Sequence, residues 1–183
     1  MTRLQPLQPD ALDQDARMLY DAILAGPRSR SGLTDERGAL RGPFDPMLRS
    51  PKIGDAVQRL GVTIRFDGSL PDDLRELAIL ATAGHWNCRF ELAAHGAIAE
   101  TVGVTADNVA AIRDGRVPEF VAGSDQQLVY GAATELLATR RLSDDTYDDL
   151  VGRLDEPTVV ELLMVVGYYS LLAMVLEGFE ITR

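Results

Sequence analysis

Apolar positions along this chain recur mostly at helical spacing, and runs of alternating apolar and polar residues are scarce. The longest alternating run is VTIRF, residues 62–66. The pattern therefore predicts an all-α chain of about eight helices. The first spans 10–25, with Asp10 as its N-cap and Gly26-Pro27 as its stop. A Gly-, Arg- and Ser-rich segment, 26–45, reads as a long surface loop placed to line a site. One or two short helices over 46–61 break near Ser50-Pro51. Pro71 opens the next helix in its first turn, and Asp72 and Asp73 face the positive end of its dipole. That helix runs to Gly84, and a second helix, or a bent continuation, reaches Gly103. Thr105 caps a short helix over 106–113. Ser124-x-x-Gln127 is a capping box for 125–140, and Ser143 caps 144–154.

The closing helix, 157–178, contains VVELLMVVGYYSLLAMVL, long enough to raise the question of a membrane span. Glu161 interrupts it, and no basic flank lies near its start. It is read as a buried helix at a subunit contact, because a helix apolar on all sides is a core element.

Composition changes this picture little. The 183 residues are 46% hydrophobic and 25% charged, as in ordinary soluble proteins. The net charge of −10 repels nucleic acid overall. The opening residues lack the apolar core of a signal peptide, so a cytoplasmic location is expected. A single cysteine excludes an internal disulfide and any multi-cysteine metal site. No metal and no cofactor are expected.

The rare chemistry is concentrated in one segment, GHWNCRFELAAHGAIAE, residues 84–100. It holds the only tryptophan, Trp86, the only cysteine, Cys88, and both histidines, His85 and His95. On a helix turning about 100° per residue, His85, Cys88, Glu91 and His95 share a stripe about 80–120° wide. Glu91 and His95 are i,i+4 neighbours and can touch. The opposite stripe, Phe90, Ala93, Ala94 and Ala97, is apolar or small, as close helix packing requires. Taken singly, a helical histidine is usually a satisfied or exposed side chain, and a lone cysteine a small buried hydrophobe. Their clustering marks them as candidates. A further candidate is Glu76, set among Leu74, Leu77, Ala78, Ile79 and Leu80. A carboxylate in such a setting can orient a histidine, or can simply pair with Arg75.

The spacing Glu76, eleven residues, Cys88, two residues, Glu91, three residues, His95 resembles the alkylhydroperoxidase D-like / carboxymuconolactone decarboxylase family. That family's hydroperoxidases carry a second cysteine where this chain has Glu91. Three stretches, RGPFDPMLRSP (41–51), SLPDDLRELAIL (69–80) and SDQQLVYGAATELLATRRLSD (124–144), are similar to its decarboxylase-like members. The resemblance extends over roughly 41–180. Residues 1–40 then form an N-terminal helix and loop arm, and 41–183 the helical domain. The resemblance implies an all-α fold and a homo-oligomer, trimer or hexamer, with sites near subunit contacts.

The resemblance implies three readings of function. In the first, His95 with Glu91 and Glu76 performs acid–base chemistry on a small carboxylated or lactone ring, as in decarboxylation of a γ-carboxymuconolactone-type molecule. His95 would protonate the dienolate, a carboxylate would fix its tautomer, and Arg41 or Arg65 would bind the substrate anion. His85, Trp86 and Tyr168 or Tyr169 would line the pocket. In the second, Cys88 is a peroxidatic thiolate relayed by His95 and Glu76, and an external thiol reduces its sulfenic acid. In the third, the same fold is a non-catalytic oligomeric binding protein.

Overall fold

The computed structural model describes residues 2–28 and 32–182. Among these the chain is helical, with one isolated antiparallel bridge, Thr34 to Leu40. Nine α-helices follow in order: α1 Gln14–Ala25, α2 Phe44–Met47, α3 Pro51–Phe66, α4 Asp72–His85, α5 Arg89–Thr101, α6 Ala106–Arg113, α7 Asp125–Thr139, α8 Asp144–Leu154 and α9 Glu156–Gly178. The chain divides into two compact units. One comprises residues up to Gly68 together with the C-terminal segment from Val175; the other is Ser69–Met174.

In the first unit, α1 and α2 pack on α3. Helix α1 starts later than the sequence suggests. Asp13 accepts from the Ala16 amide and is the N-cap, whereas Asp10 lies in a single 3-10 turn, Pro9–Ala11. The break at Ser50-Pro51 is present, but α3 continues to Phe66 and absorbs the alternating VTIRF run. None of these five residues is buried. Loop 26–45, whose residues 29–31 lie outside the described residues, is more than a surface excursion. Leu33, Ala39 and Leu40 are buried, and the Tyr20 hydroxyl donates to the Gly38 carbonyl at 2.8 Å. Buried Asp45 accepts from the Leu7 amide and from Arg49, both at 2.7 Å, and so pins the N-terminal arm to α2.

The second unit is built around α4, which packs against α5, α6 and α7. Every α4 residue from Leu74 to Ala83 is buried. Its Leu77, Leu80 and Ala83 meet Leu92 and Ala99 of α5 and Val109 and Ile112 of α6, with Phe120 and Tyr130 packed alongside. Burial of a large aliphatic side chain stabilises by about 1.5–3 kcal/mol, so this cluster is the main cohesive force of the unit. The N-caps at Thr105, Ser124 and Ser143 form as predicted. Glu135 accepts from the Thr146 hydroxyl and the Ser143 amide across the α7–α8 turn, which holds its carboxyl below the usual range. The acid inside the apolar closing helix also has a use: Glu161 accepts from the Ser69 and Leu70 amides at 2.7 and 2.8 Å, anchoring α9 to the chain entering α4.

Helix α9 is long and apolar enough to cross a membrane, yet half of its apolar window is buried within the protein. Val159, Leu162, Val165, Val166, Tyr169 and Leu172 face inward, while Val160, Leu163, Met164, Leu171 and Met174 are exposed. Within the single chain, one face of α9 is covered and the other is open.

Gly54 of α3 marks the tightest packing in the first unit. A Cβ there would lie 2.5 Å from the Met47 carbonyl oxygen and 2.9 Å from Leu19 Cδ2. Gly54→Ala is expected to lower stability by about 1–3 kcal/mol, because backbone has to move to admit the methyl group. Chemical denaturation measures this, and an unchanged midpoint would show that α2 and α3 can separate without loss.

Candidate active site

The site arises from the connection between α4 and α5. Helix α4 ends in a Schellman closure: the Asn87 amide donates to Gly84 O at 3.0 Å and the Cys88 amide to Ala83 O at 2.8 Å. Asn87 takes the left-handed conformation this requires, at φ 50°. Asparagine tolerates that region better than most residues. Cys88 is at once the last residue of the closure and the N-cap of α5, and its carbonyl accepts from the Leu92 amide. A three-residue connection folds α5 directly back onto α4.

This turn corrects the predicted stripe. His85 ends α4 and is exposed, so it does not continue the α5 face. Its ring meets the edge of Trp86 at 6.1 Å. Trp86 is the C-cap of α4, half-buried, with an indole N–H that finds no hydrogen-bond partner. Glu91 and His95 do share the inner face of α5, and Cys88 opens the same helix with no exposed surface. The predicted packing face, Phe90, Ala93, Ala94 and Ala97, is not the one used. Leu92, Gly96 and Ala99 are buried instead, and Ala93 and Ala97 line an open groove of about 580 Å³ beside Val109, Arg89 and Arg113. The reason is geometric: His95 and Glu91 turn toward α4, where Glu76 needs a partner.

Glu76 has no exposed surface and His95 is 5% exposed. His95 Nδ1 lies 2.6 Å from Glu76 Oε2. A carboxylate accepts, so this contact places the proton on Nδ1. His95 Nε2 lies 3.3 Å from Glu91 Oε2, and Glu91 is itself 3% exposed. One imidazole therefore stands between two buried carboxylates. The Tyr169 ring packs edge-on against it at 4.9 Å, and Tyr168 stacks edge-on against Tyr169 at 5.3 Å. Of the two tyrosines, Tyr169 reaches the imidazole directly, and Tyr168 stands behind it. Arg75, one residue before Glu76, is also buried. It pairs with Asp72 at 2.8 Å and lies 3.9 Å from Glu76 Oε1.

The structure thus brings Glu76, Glu91, His95 and Tyr169 together. Arg41 and Arg65 belong to the first unit. Arg41 is exposed there and its amide donates to the Leu33 carbonyl, while the Arg65 guanidinium lies over the Phe66 ring at 5.2 Å. The sequence reading gave Arg75 no role beyond an ion pair with Glu76. The available signal was a guanidinium in an apolar helix, next to the carboxylate chosen as a candidate. Among the described residues no three His, Cys, Asp or Glu side chains are grouped as a metal site. Such an arrangement can hold and move a proton: Nδ1 is fixed by Glu76, and Nε2 exchanges a proton with Glu91 or with a bound molecule.

Residues 51–129 match the carboxymuconolactone decarboxylase family. The resemblance read from the motif spacing is borne out. The fold is also that of solved alkylhydroperoxidase D-like proteins. An alkylhydroperoxidase AhpD core from Ralstonia eutropha JMP134, an uncharacterized peroxidase-related protein, superposes with a TM-score of 0.78 at 14% identity, covering 100% of this chain and 92% of that one. A peroxidase-related protein from Silicibacter sp. TM1040 gives 0.76 at 13% identity over 99% and 91%. The debrominase Bmp8, as a cysteine-to-alanine variant bound to 2,3,4-tribromopyrrole, gives 0.73 at 16% identity over 100% and 91%. No curated protein matches by sequence.

Removing the carboxylate that holds Nδ1 takes the hydrogen-bond partner from that buried nitrogen and opens a cavity. Glu76→Ala is therefore expected to lower stability by about 2–4 kcal/mol. Thermal and urea unfolding measure it. A stability unchanged from the parent would show that the pair is only a loose contact.

Proposed function

We propose that the chain is an acid–base enzyme of the decarboxylase type, acting on a small carboxylated lactone ring. The observation that carries this reading is the His95 imidazole bracketed by Glu76 and Glu91 in a water-poor interior. In the proposed step the bond from a ring carbon to its carboxylate breaks. Carbon dioxide leaves, and the electron pair stays on the ring as a dienolate. His95 delivers one proton from Nε2 to the carbanionic carbon while Glu76 retains Nδ1–H. Glu91 passes a proton from solvent back to Nε2. One proton is consumed for each carbon dioxide released, and no electron acceptor is used. A low-dielectric site favours this step, because negative charge concentrated on the carboxylate spreads over the dienolate as carbon dioxide departs.

A second reading, thiol-dependent hydroperoxide reduction, is favoured by the position of Cys88 at the start of the helix that carries Glu91 and His95. The thiolate would take the terminal oxygen of a hydroperoxide, releasing the alcohol and leaving a sulfenic acid. Two equivalents of an external thiol would then restore the thiol, with water and a disulfide as products. The complete burial of Cys88 weighs toward the first reading, since reactive cysteines are partly exposed.

Two variants separate these readings. With carbon dioxide release from γ-carboxymuconolactone-type substrates as the assay, His95→Gln is expected to lower turnover at least about a hundredfold. Cys88→Ala is expected to retain it. If Cys88→Ala instead abolishes reduction of an organic hydroperoxide, and the parent protein gains about 16 Da on stoichiometric oxidation, thiol chemistry replaces the acid–base reading.

We also propose that the working form is a homo-oligomer, a trimer or hexamer, assembled through the open face of α9. Val160, Met164, Gly167, Leu171 and Met174 follow one another at intervals of four and three residues, the spacing of a helix-packing seam. An exposed row of this kind on an otherwise acidic protein suits a second copy of the same row. Light scattering is expected to give a multiple of 19.9 kDa, and the double variant Met164→Lys, Leu171→Lys a particle of one chain. A parent protein of 19.9 kDa in solution would overturn the assembly.

A further inference from the structure

We propose that Arg75 is a positioning residue: its guanidinium holds Glu76 as the acceptor for His95 and so fixes which imidazole nitrogen reacts. This rests on the acid–base reading for its consequence, but its own evidence is geometric.

Among the described residues, the buried side-chain polar atoms with no hydrogen-bond partner are Arg75 Nε, Glu76 Oε1 and Trp86 Nε1. Two of these three belong to consecutive residues of α4 and lie 3.9 Å apart. They carry opposite charge, and each is left over because the rest of its group is engaged. Glu76 Oε2 accepts from His95 Nδ1 at 2.6 Å. Arg75 NH2 pairs with Asp72 Oδ1 at 2.8 Å, and NH1 lies 3.5 Å from the Leu70 carbonyl. Asp72 is largely exposed, so the guanidinium is tethered at its solvent end and offers its Nε–H edge inward.

The separation of 3.9 Å is too long for a hydrogen bond, and what acts across it is the attraction of opposite charges. It is strengthened by the low dielectric around a carboxylate with no exposed surface. A shift of under about 1 Å would convert it to a hydrogen bond. The effect on His95 follows from where the proton resides. With a positive charge behind Glu76, the favoured arrangement has the negative charge on Glu76 and the proton on Nδ1. Nε2 is then the nitrogen that faces Glu91 and exchanges protons. Without that charge, a proton on Glu76 facing an unprotonated Nδ1 becomes competitive, and the reacting nitrogen is no longer fixed.

The test is nitrogen-15 NMR of the imidazoles, read beside turnover. The chain has only two histidines, and exposed His85 serves as the internal reference. The parent is expected to show His95 protonated at Nδ1. Arg75→Met is expected to give mixed tautomers and, in the carbon dioxide assay, a fall in kcat of about a hundredfold with KM unchanged. Arg75→Lys, which keeps the charge, is expected to restore the Nδ1–H signature and part of kcat. Arg75→Met with the parent's signature and kcat would overturn the proposal. If Arg75→Met does not fold, the parent is compared with Glu76→Gln. The Arg75 Nε–H is expected to exchange with solvent faster in Glu76→Gln, and equal exchange rates would overturn the proposal. If the folded parent turns over no carboxylated lactone, the acid–base reading fails while the NMR comparison still decides the role of Arg75.

Discussion

A carboxylate with no exposed surface has to be partnered inside the protein, and much of this structure follows from satisfying Glu76. Removing a charged group from water costs several kcal/mol even after relaxation, and only close hydrogen bonds or opposite charge offset it. Glu76 lies in the second turn of α4, a helix buried on every side from Leu74 to Ala83. Its needs are met by the His95 imidazole at 2.6 Å and by the Arg75 guanidinium at longer range. His95 is in turn held by Glu91 and walled by Tyr169. Each of these side chains is in place because the one before it required a partner. The apolar cluster of α4, α5 and α6 supplies the cohesion that keeps such a network dry.

The turn between α4 and α5 makes the network possible. His95 follows Glu76 by nineteen residues, yet the two touch. A tight reversal at Trp86–Cys88 returns α5 along α4, so a residue in the first half of α4 meets one in the middle of α5. The left-handed Asn87 and the double duty of Cys88 make this reversal short. Cys88 thus has a structural role whatever its chemistry. A buried thiol at a helix junction is a small apolar filler first and a nucleophile only if something exposes it.

The family match and the fold leave the reaction open, since neighbours of the same architecture at 13–16% identity include peroxidase-related proteins and a debrominase. What separates this chain from a two-cysteine redox site is the carboxylate at Glu91. It removes the partner for an internal disulfide and gives His95 a second acid–base neighbour. The proposed acid–base reading turns on that carboxylate.

Much of this was legible in the amino-acid sequence. Helical periodicity, the caps at Thr105, Ser124 and Ser143, and the i,i+4 placement of Glu91 and His95 are local properties, fixed by neighbours within one or two turns. The concentration of rare residues in 84–100 and the isolation of Glu76 among leucines single out the candidate residues. Other features were not legible, because periodicity does not fix where an element starts or turns, and because some contacts involve partners far along the chain. Asp13, which accepts from the Ala16 amide, caps α1 in place of Asp10, and VTIRF forms the end of α3. His85 leaves the stripe because the chain turns at Asn87, and a helical wheel assumes no turn. Arg75 gains its place beside Glu76, Tyr169 its edge against His95, and α9 its open face only when the helices are assembled. The sequence by itself determined which residues are helical and which are chemically unusual, through short-range sterics and hydrogen bonding. Tertiary structure alone decided which of them share a dry interior, where the strength of a charge or a proton transfer is set by what surrounds it.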